Sequence, residues 1–417
     1  MKRILFSLLL LFSVTGCSGR EVSEAEEASG ETVPVFITDY ESGFRIFREE
    51  EVFSQLYEPD EGCYAGAYIL SDKAVGGIAE FERITGKEHA FYTYYLKMGQ
   101  PFPTEWVLDC IAKMKTPNIV LVPENADNPF DTKLIEETAK KFGEFYVPMF
   151  VHFYPVKSGL YTSGEDYISF FKTARVYFSR YASNAAFVWD ISAEDLDMIN
   201  DFYPGDESVD WAGINLFSSG ERGNDDLALE DLTAKLDYFY YTFQQKKPVF
   251  ISELAISHFS SKEHAYTVNE ASGVMEGFFT QIAENYPRVK AVNYMSYNSI
   301  EPVNMKQDIY NYSVADNSKM TAVYKKSVEG EFFLSEIKAY SGGEMITQKV
   351  ASPFYALYYD NAFYGDKRLI GEIGAKNISD ENAIIIEKEN YYPIEPYLSG
   401  KQILKGNLSK RTVEILR

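Results

Sequence analysis

Six short apolar runs in this sequence carry, at or near their ends, residue types that can do chemistry or hold a polar ligand. VPEN contains Glu124, VPMFVHFY ends on His152, Phe153 and Tyr154, and AAFVWDI on Trp189 and Asp190. VDWAGINLF ends on Asn215, Leu216 and Phe217, FISEL holds Glu253, and AVNYMSYN ends on Tyr297 and Asn298. Carboxylates, an imidazole, amides and aromatic rings suit a sugar: aromatic faces stack on its C–H faces, while amides and carboxylates bind its hydroxyls. No metal and no cofactor are expected, because the four His and the Cys residues never cluster at ligand spacing.

These residues need a scaffold that brings strand ends together. Eight short runs rich in β-branched and aromatic residues recur along the chain: CYAGAYIL (63–70), AFYTYYLK (90–97), PNIVLVP (117–123), VPMFVHFY (147–154), AAFVWDI (185–191), VDWAGINLF (209–217), PVFISELAI (248–256) and AVNYMSYN (291–298). Each is nearly continuously apolar, as parallel strands covered on both faces are. Amphipathic segments separate them, among them Asp131 to Lys141, Gly164 to Tyr181, Leu229 to Gln245 and Glu263 to Tyr286, several opened by Ser, Asp or Thr at the N-cap position. Eight βα units fit an α/β architecture, the (β/α)8 TIM barrel, whose site lies at the carboxyl ends of the strands. A two-lobed, doubly wound solute-binding lipoprotein shows the same alternation, and strand counting leaves both open. The Tyr-rich stretches 92–95 and 238–241 read as barrel wall or helix face.

The two ends of the chain differ from this middle. Met1-Lys2-Arg3 followed by apolar Ile4 to Val14 reads as a secretory signal, too short to span a bilayer. It closes on Val14-Thr15-Gly16-Cys17, the pattern of a bacterial lipobox, which makes Cys17 the expected lipidation site and the protein an exported one, anchored to the membrane of the cell envelope. Residues 18–34 are mostly Ser, Gly and Glu and read as a solvated tether. The remaining Cys63 and Cys110 could pair in an oxidising compartment, but two cysteines cannot staple so long a chain, and two buried thiols are the favoured reading. With 62 acidic against 40 basic residues, a formal charge of −22, the chain repels phosphate backbones, so nucleic acid is not an expected partner. Beyond residue 340, runs such as FYALYYD, RLIGEIGAKNI, NAIIIEKENYYPI and TVEIL, parted by Gly, Asn, Asp and Pro, read as a small antiparallel β-rich module of unassigned role. The expected division is therefore 1–16 signal, 17–34 lipidated Cys and tether, 35–335 barrel and 340–417 β module.

Three motifs add a family resemblance over roughly residues 64 to 327. Asn-x-x-Phe-Val-Trp leads into the fifth run (Asn184 to Trp189), Tyr-Pro-Gly-Asp-x-x-Val-Asp-Trp-x-Gly into the sixth (Tyr203 to Gly213), and Lys-Pro-Val-x-Ile-x-Glu forms the seventh (Lys247 to Glu253). In these the chain resembles glycoside hydrolase family 26, the retaining β-mannanases, which implies a TIM barrel acting on or binding β-linked, mannan-like polysaccharide or oligosaccharide. Retaining hydrolysis uses two carboxyl groups about 5–5.5 Å apart, a nucleophile and a proton donor. The resemblance places the nucleophile on Glu253. It implies sugar contacts from His152, Trp189, Asn215 and Tyr297.

The chain also departs from the family's pattern. Where the family has His-Glu-x-Asn at the end of the fourth strand, this sequence reads His152-Phe153-Tyr154-Pro155, so the acid/base Glu is missing. The strand 6 Tyr corresponds to Phe217, and Met295, Ser296 and Tyr297 stand where a strand 8 Trp is usual. Glu124 and Asp190 are the candidate substitute acids, set against plainer roles as a loop cap and as an N-cap or ion-pair partner. Phe153→Glu is then expected to create or raise hydrolysis. A degenerate enzyme, a non-catalytic glycan-binding or scaffolding lipoprotein and a sugar transporter's binding lipoprotein are the readings that remain.

Overall fold

The computed structural model describes residues 43–123, 131–161, 163–220, 225–300, 309–338, 342–386 and 388–417. All eight apolar runs form strands: β1 (Cys63–Tyr68), β2 (Phe91–Lys97), β3 (Thr116–Val122), β4 (Met149–Phe153), β5 (Ala185–Ser192), β6 (Trp211–Ser218), β7 (Val249–Ile256) and β8 (Val289–Met295). Neighbours pair in parallel from β1 to β8, and β8 returns to β1 with Ala291 opposite Tyr64 and Met295 opposite Tyr68. The sheet is therefore a closed parallel barrel, and the two-lobed alternative is excluded.

Helices follow the strands as their caps dictate. Asp131 accepts from the amides of Lys133 and Leu134 to start Thr132–Phe142, and Ser163 accepts from Asp166 N–H to start Gly164–Tyr181. Asp225–Phe243 and Val268–Asn285 follow β6 and β7. Their apolar faces pack on the outward side chains of the strands: Phe153 and Phe187 on the barrel wall meet Phe171 of the helix after β4 at ring separations of 5.2 and 5.5 Å.

The barrel interior has an aromatic floor. Phe91, Phe150, Trp211 and Phe250 meet edge to face at 5.3–6.1 Å, with Tyr64 in the same buried cluster. Gly66 on β1 has no side chain because a Cβ there would lie 2.1 Å from the Phe91 ring. The segment between residues 54 and 62 closes this end: Trp211 Nε1 donates to the Leu56 carbonyl at 2.8 Å, and Arg288 forms a fully buried pair with Glu58 at 3.0 Å.

A second, seven-stranded sheet lies outside the barrel. Its long strand Met345–Tyr359 pairs antiparallel with Phe44–Phe53, which pairs in parallel with Thr412–Leu416. The tail is thus completed by a strand from before the barrel, which the expected boundaries at 35 and 335 leave on the barrel's side. RLIGEIG, read as a strand, is the helix Lys367–Glu372, because the Asp366 carboxylate caps Leu369 N–H. The sheet docks on the helix after β6 through paired Gln244–Ala351 hydrogen bonds of 2.7 and 2.9 Å and an Arg45–Tyr241 bond of 2.8 Å. Cys63 and Cys110 are buried free thiols.

Candidate functional site

Above the aromatic floor the inward side chains turn polar. Thr93 on β2, Asn118 on β3, His152 on β4, Asp190 on β5, Ser252 on β7 and Asn293 on β8 are all buried and hydrogen bonded in a closed ring. Asn293 Nδ2 donates to the Ser252 carbonyl at 2.8 Å, Thr93 Oγ1 to Asn293 Oδ1 at 2.9 Å, and Asn118 Nδ2 to Thr93 Oγ1 at 2.9 Å. His152 Nε2 meets Asn118 Oδ1 and its Nδ1 meets Asp190 Oδ2, each at 2.7 Å, and Ser252 Oγ donates to Asp190 Oδ1 at 2.5 Å. β6 supplies Gly213 at this level: a Cβ would stand 1.7 Å from Asp190 Oδ1 and 2.5 Å from Ser252 Oγ.

A bulge in β7 lifts Glu253 above this ring. Ile214 on β6 opposes Ile251, but Asn215 opposes Glu253, and on the other side Val292 opposes Ile251 while Tyr294 opposes Leu254. The extra residue breaks the alternation of faces, so Ser252 joins the polar ring and Glu253, its neighbour, also points inward. There the Tyr95 hydroxyl donates to Glu253 Oε1, and the Asn215 amide donates to the same carboxyl. Tyr68 packs edge-on against Tyr95 at 5.1 Å, and Tyr297 lies within its electrostatic reach. Lys157 sits over the Tyr154 ring at 4.8 Å, where its charge acts on Glu253.

Burial dominates the electrostatics of Glu253 and pushes its carboxyl up to about 7, with the Asp190 carboxylate adding in the same direction. The Tyr95 and Asn215 donors and the Lys157 charge work against that rise. Near neutral pH this carboxyl is divided between acid and carboxylate. Asn215 Oδ1 is buried without a hydrogen-bond partner among the described residues.

The other expected residues divide between this site and the core. Asn215 stands beside Glu253, and Tyr297 lies within electrostatic reach of Tyr68. His152 is corrected: it has no exposed surface and lies below the site in the ring, so it touches no ligand. Trp189 is corrected too, because strand alternation turns it outward onto Tyr203 and Phe243 at 5.1 and 5.8 Å. Asp190 is 2% exposed with both oxygens engaged, which makes it a hydrogen-bond partner of the ring and not a free acid. Glu124 and Cys17 lie outside the described residues. Phe153, where the family resemblance leads one to expect an acid/base Glu, also faces outward, among Phe170, Phe171 and Phe187. A Glu there would enter the helix-packing core, so the expected gain of hydrolysis does not follow. Tyr68, Tyr95, Tyr154 and Lys157 were missed. Counting by twos from Phe91 through Thr93 to Tyr95 is the signal that could have found Tyr95.

Beyond Asn215, Phe217 is 42% exposed and borders a cavity of about 570 Å³. Leu227, Tyr310 and Tyr312 form its apolar wall; Lys235, bonded to Glu194 at 2.6 Å and Asp231 at 2.7 Å, forms its charged one. Aromatic rings and carboxylates lining one cavity are the groups a sugar ring fits.

No protein-family model and no curated protein matches this sequence. Solved structures do share the fold. A modular endo-beta-1,4-mannanase of glycoside hydrolase family 26 from Cellulomonas fimi superposes with a TM-score of 0.51 at 11% identity, over 75% of this chain and 93% of that one. The GH26C protein of a Muricauda species gives 0.51 at 12% identity, over 66% and 87%. At such identities the likeness is one of fold, and it agrees with the barrel and the family resemblance read from the motifs.

Proposed function

We propose that this protein is a glycan-binding barrel of glycoside hydrolase family 26 type whose hydrolytic pair is broken, held at the cell envelope by a lipid on Cys17. The observation that carries the reading is that, among the described residues, Glu253 has no free carboxyl partner. The carboxylate that acts on it, Asp190, is locked beneath it by His152 and Ser252, and the position of the family's acid/base is a phenylalanine pointing away from the site. Loss of general acid assistance removes about 10²–10⁴ in rate, and no phenyl ring can supply a proton. What remains is suited to binding: Tyr95 and Tyr68 around the carboxyl, the Asn215 side chain beside it, and the aromatic cavity beyond Phe217.

The motifs and the mannanase of similar fold support a β-linked, mannan-like ligand. Calorimetric titration of the purified protein with manno-, gluco- and mixed-linkage β-oligosaccharides, run beside a reducing-end assay, tests this. Binding without turnover is expected, with a modest loss of affinity in Glu253→Ala. Turnover that Glu253→Ala abolishes would restore the retaining hydrolase, with Glu124 at the end of β3 as its acid. Absence of binding across the panel would refute the reading. For the anchor, Cys17→Ser should move the protein from the membrane to the soluble fraction.

A further inference from the structure

The hydrogen-bond ring beneath Glu253 has only one consistent direction. Its fixed point is the Ser252 carbonyl, which can only accept, so the Asn293 group facing it at 2.8 Å is the NH2. Asn293 then presents its oxygen to Thr93, whose single hydroxyl proton goes there at 2.9 Å. Thr93 Oγ1 is left to accept from the Asn118 NH2, which turns the Asn118 oxygen towards His152 Nε2 at 2.7 Å. Nε2 must therefore carry a proton. On the far side of the imidazole, Nδ1 faces Asp190 Oδ2 at 2.7 Å, and the other Asp190 oxygen is already taken by the Ser252 hydroxyl.

We infer that His152 is held as an imidazolium with a proton on each ring nitrogen, and that it is the positioning residue which offsets part of the Asp190 charge beneath Glu253. The groups facing His152 from neighbouring strands are Asn118 on β3, Asp190 on β5 and the Phe250 ring, edge-on at 5.0 Å, on β7. Asp190 is the ionisable one among them, so the pair is neutral as a unit. Glu253 is left as the carboxyl that titrates at the mouth, facing Lys157 and the Tyr95 hydroxyl. The inference rests on Glu253 being the ligand-facing group of the proposed site, but its test does not depend on any glycan binding.

The chain has four histidines, so selective ¹⁵N-histidine labelling yields four ring systems. His89 is an internal reference: burial first, then the Lys87 and Lys115 charges, lower its pKa to about 3, so its ring is neutral. In the full chain, two protonated ring nitrogens on His152 are expected, as the hydrogen-bond directions require. A bare ring nitrogen on His152 at pH 7 overturns the inference. The second variant is Thr93→Val, which keeps shape and charge but removes the hydroxyl that fixes Asn118. Asn118 can then turn its NH2 to Nε2, so a bare Nε2 is expected in the His152 ring signals. The titration midpoint of Glu253, read from the pH dependence of stability against the same background with Glu253→Gln, should rise by about one pH unit as the Asp190 charge is uncovered. If the His152 ring signals and the Glu253 midpoint stay where they are in Thr93→Val, His152 has only a packing role and the inference fails.

Discussion

Replacing Glu253 by glutamine should stabilise this protein, and only on the alkaline side. The folded carboxyl titrates at about 7 against an ordinary 4.5, because burial disfavours its anion more than Tyr95, Asn215 and Lys157 favour it. With a folded value above the unfolded one, the contribution of this group is fully present below about pH 4.5 and is lost as pH rises through 7. A displacement of that size corresponds to about 3 kcal/mol at 1.36 kcal/mol per pH unit. Glutamine keeps an acceptor for Tyr95, and Asn215 can turn its unpartnered Oδ1 to meet the new NH2. Urea unfolding at pH 4, 6 and 8 should therefore find wild type and Glu253→Gln nearly equal at pH 4, with the variant ahead by about 3 kcal/mol at pH 8. Such a gain marks a group kept at a cost to stability, as site residues are. If the variant is the less stable protein at pH 8, the fold favours the Glu253 anion, and the account of its electrostatics is wrong.

Tyr95→Phe removes a donor to the carboxylate worth about 1.5 kcal/mol, so the Glu253 midpoint should climb by roughly one pH unit, visible in the same pH series. Gly213→Ala puts a methyl group 1.7 Å from Asp190 Oδ1; a loss of about 2 kcal/mol or more is expected by urea unfolding, together with disturbed His152 ring signals. Phe153→Glu should cost about 3–5 kcal/mol and give no hydrolysis, since the carboxylate would lie among Phe170, Phe171 and Phe187; new reducing ends from a stably folded variant would contradict that placement.

Much of the scaffold was legible because both faces of each barrel strand are buried, which writes a continuous apolar run into the sequence. The same continuity hides which residue faces inward. Trp189 and Asp190 are adjacent and equally conspicuous, yet one packs under a helix and the other closes the ring. His152 and Phe153 divide in the same way. At Ser252 and Glu253 the alternation itself fails, because the bulge shows only in pairing with β6 and β8. RLIGEIG went the other way: six residues are too few for periodicity to separate helix from strand, and the Asp366 cap decided it.

The sequence by itself determined the eight strands, the helices between them and the nearness of Glu253 to Asn215, since these follow from local burial patterns and the rule that barrel sites lie at strand ends. Tertiary structure decided what each polar residue is for. Long-range pairing set the bulge that raises Glu253, drew Phe44–Phe53 into the tail's sheet, and joined Thr93, Asn118, His152, Asp190, Ser252 and Asn293, spread over 200 residues, into one directional ring. Hydrogen-bond direction and burial are properties of closed contacts between distant strands, and no local pattern encodes them.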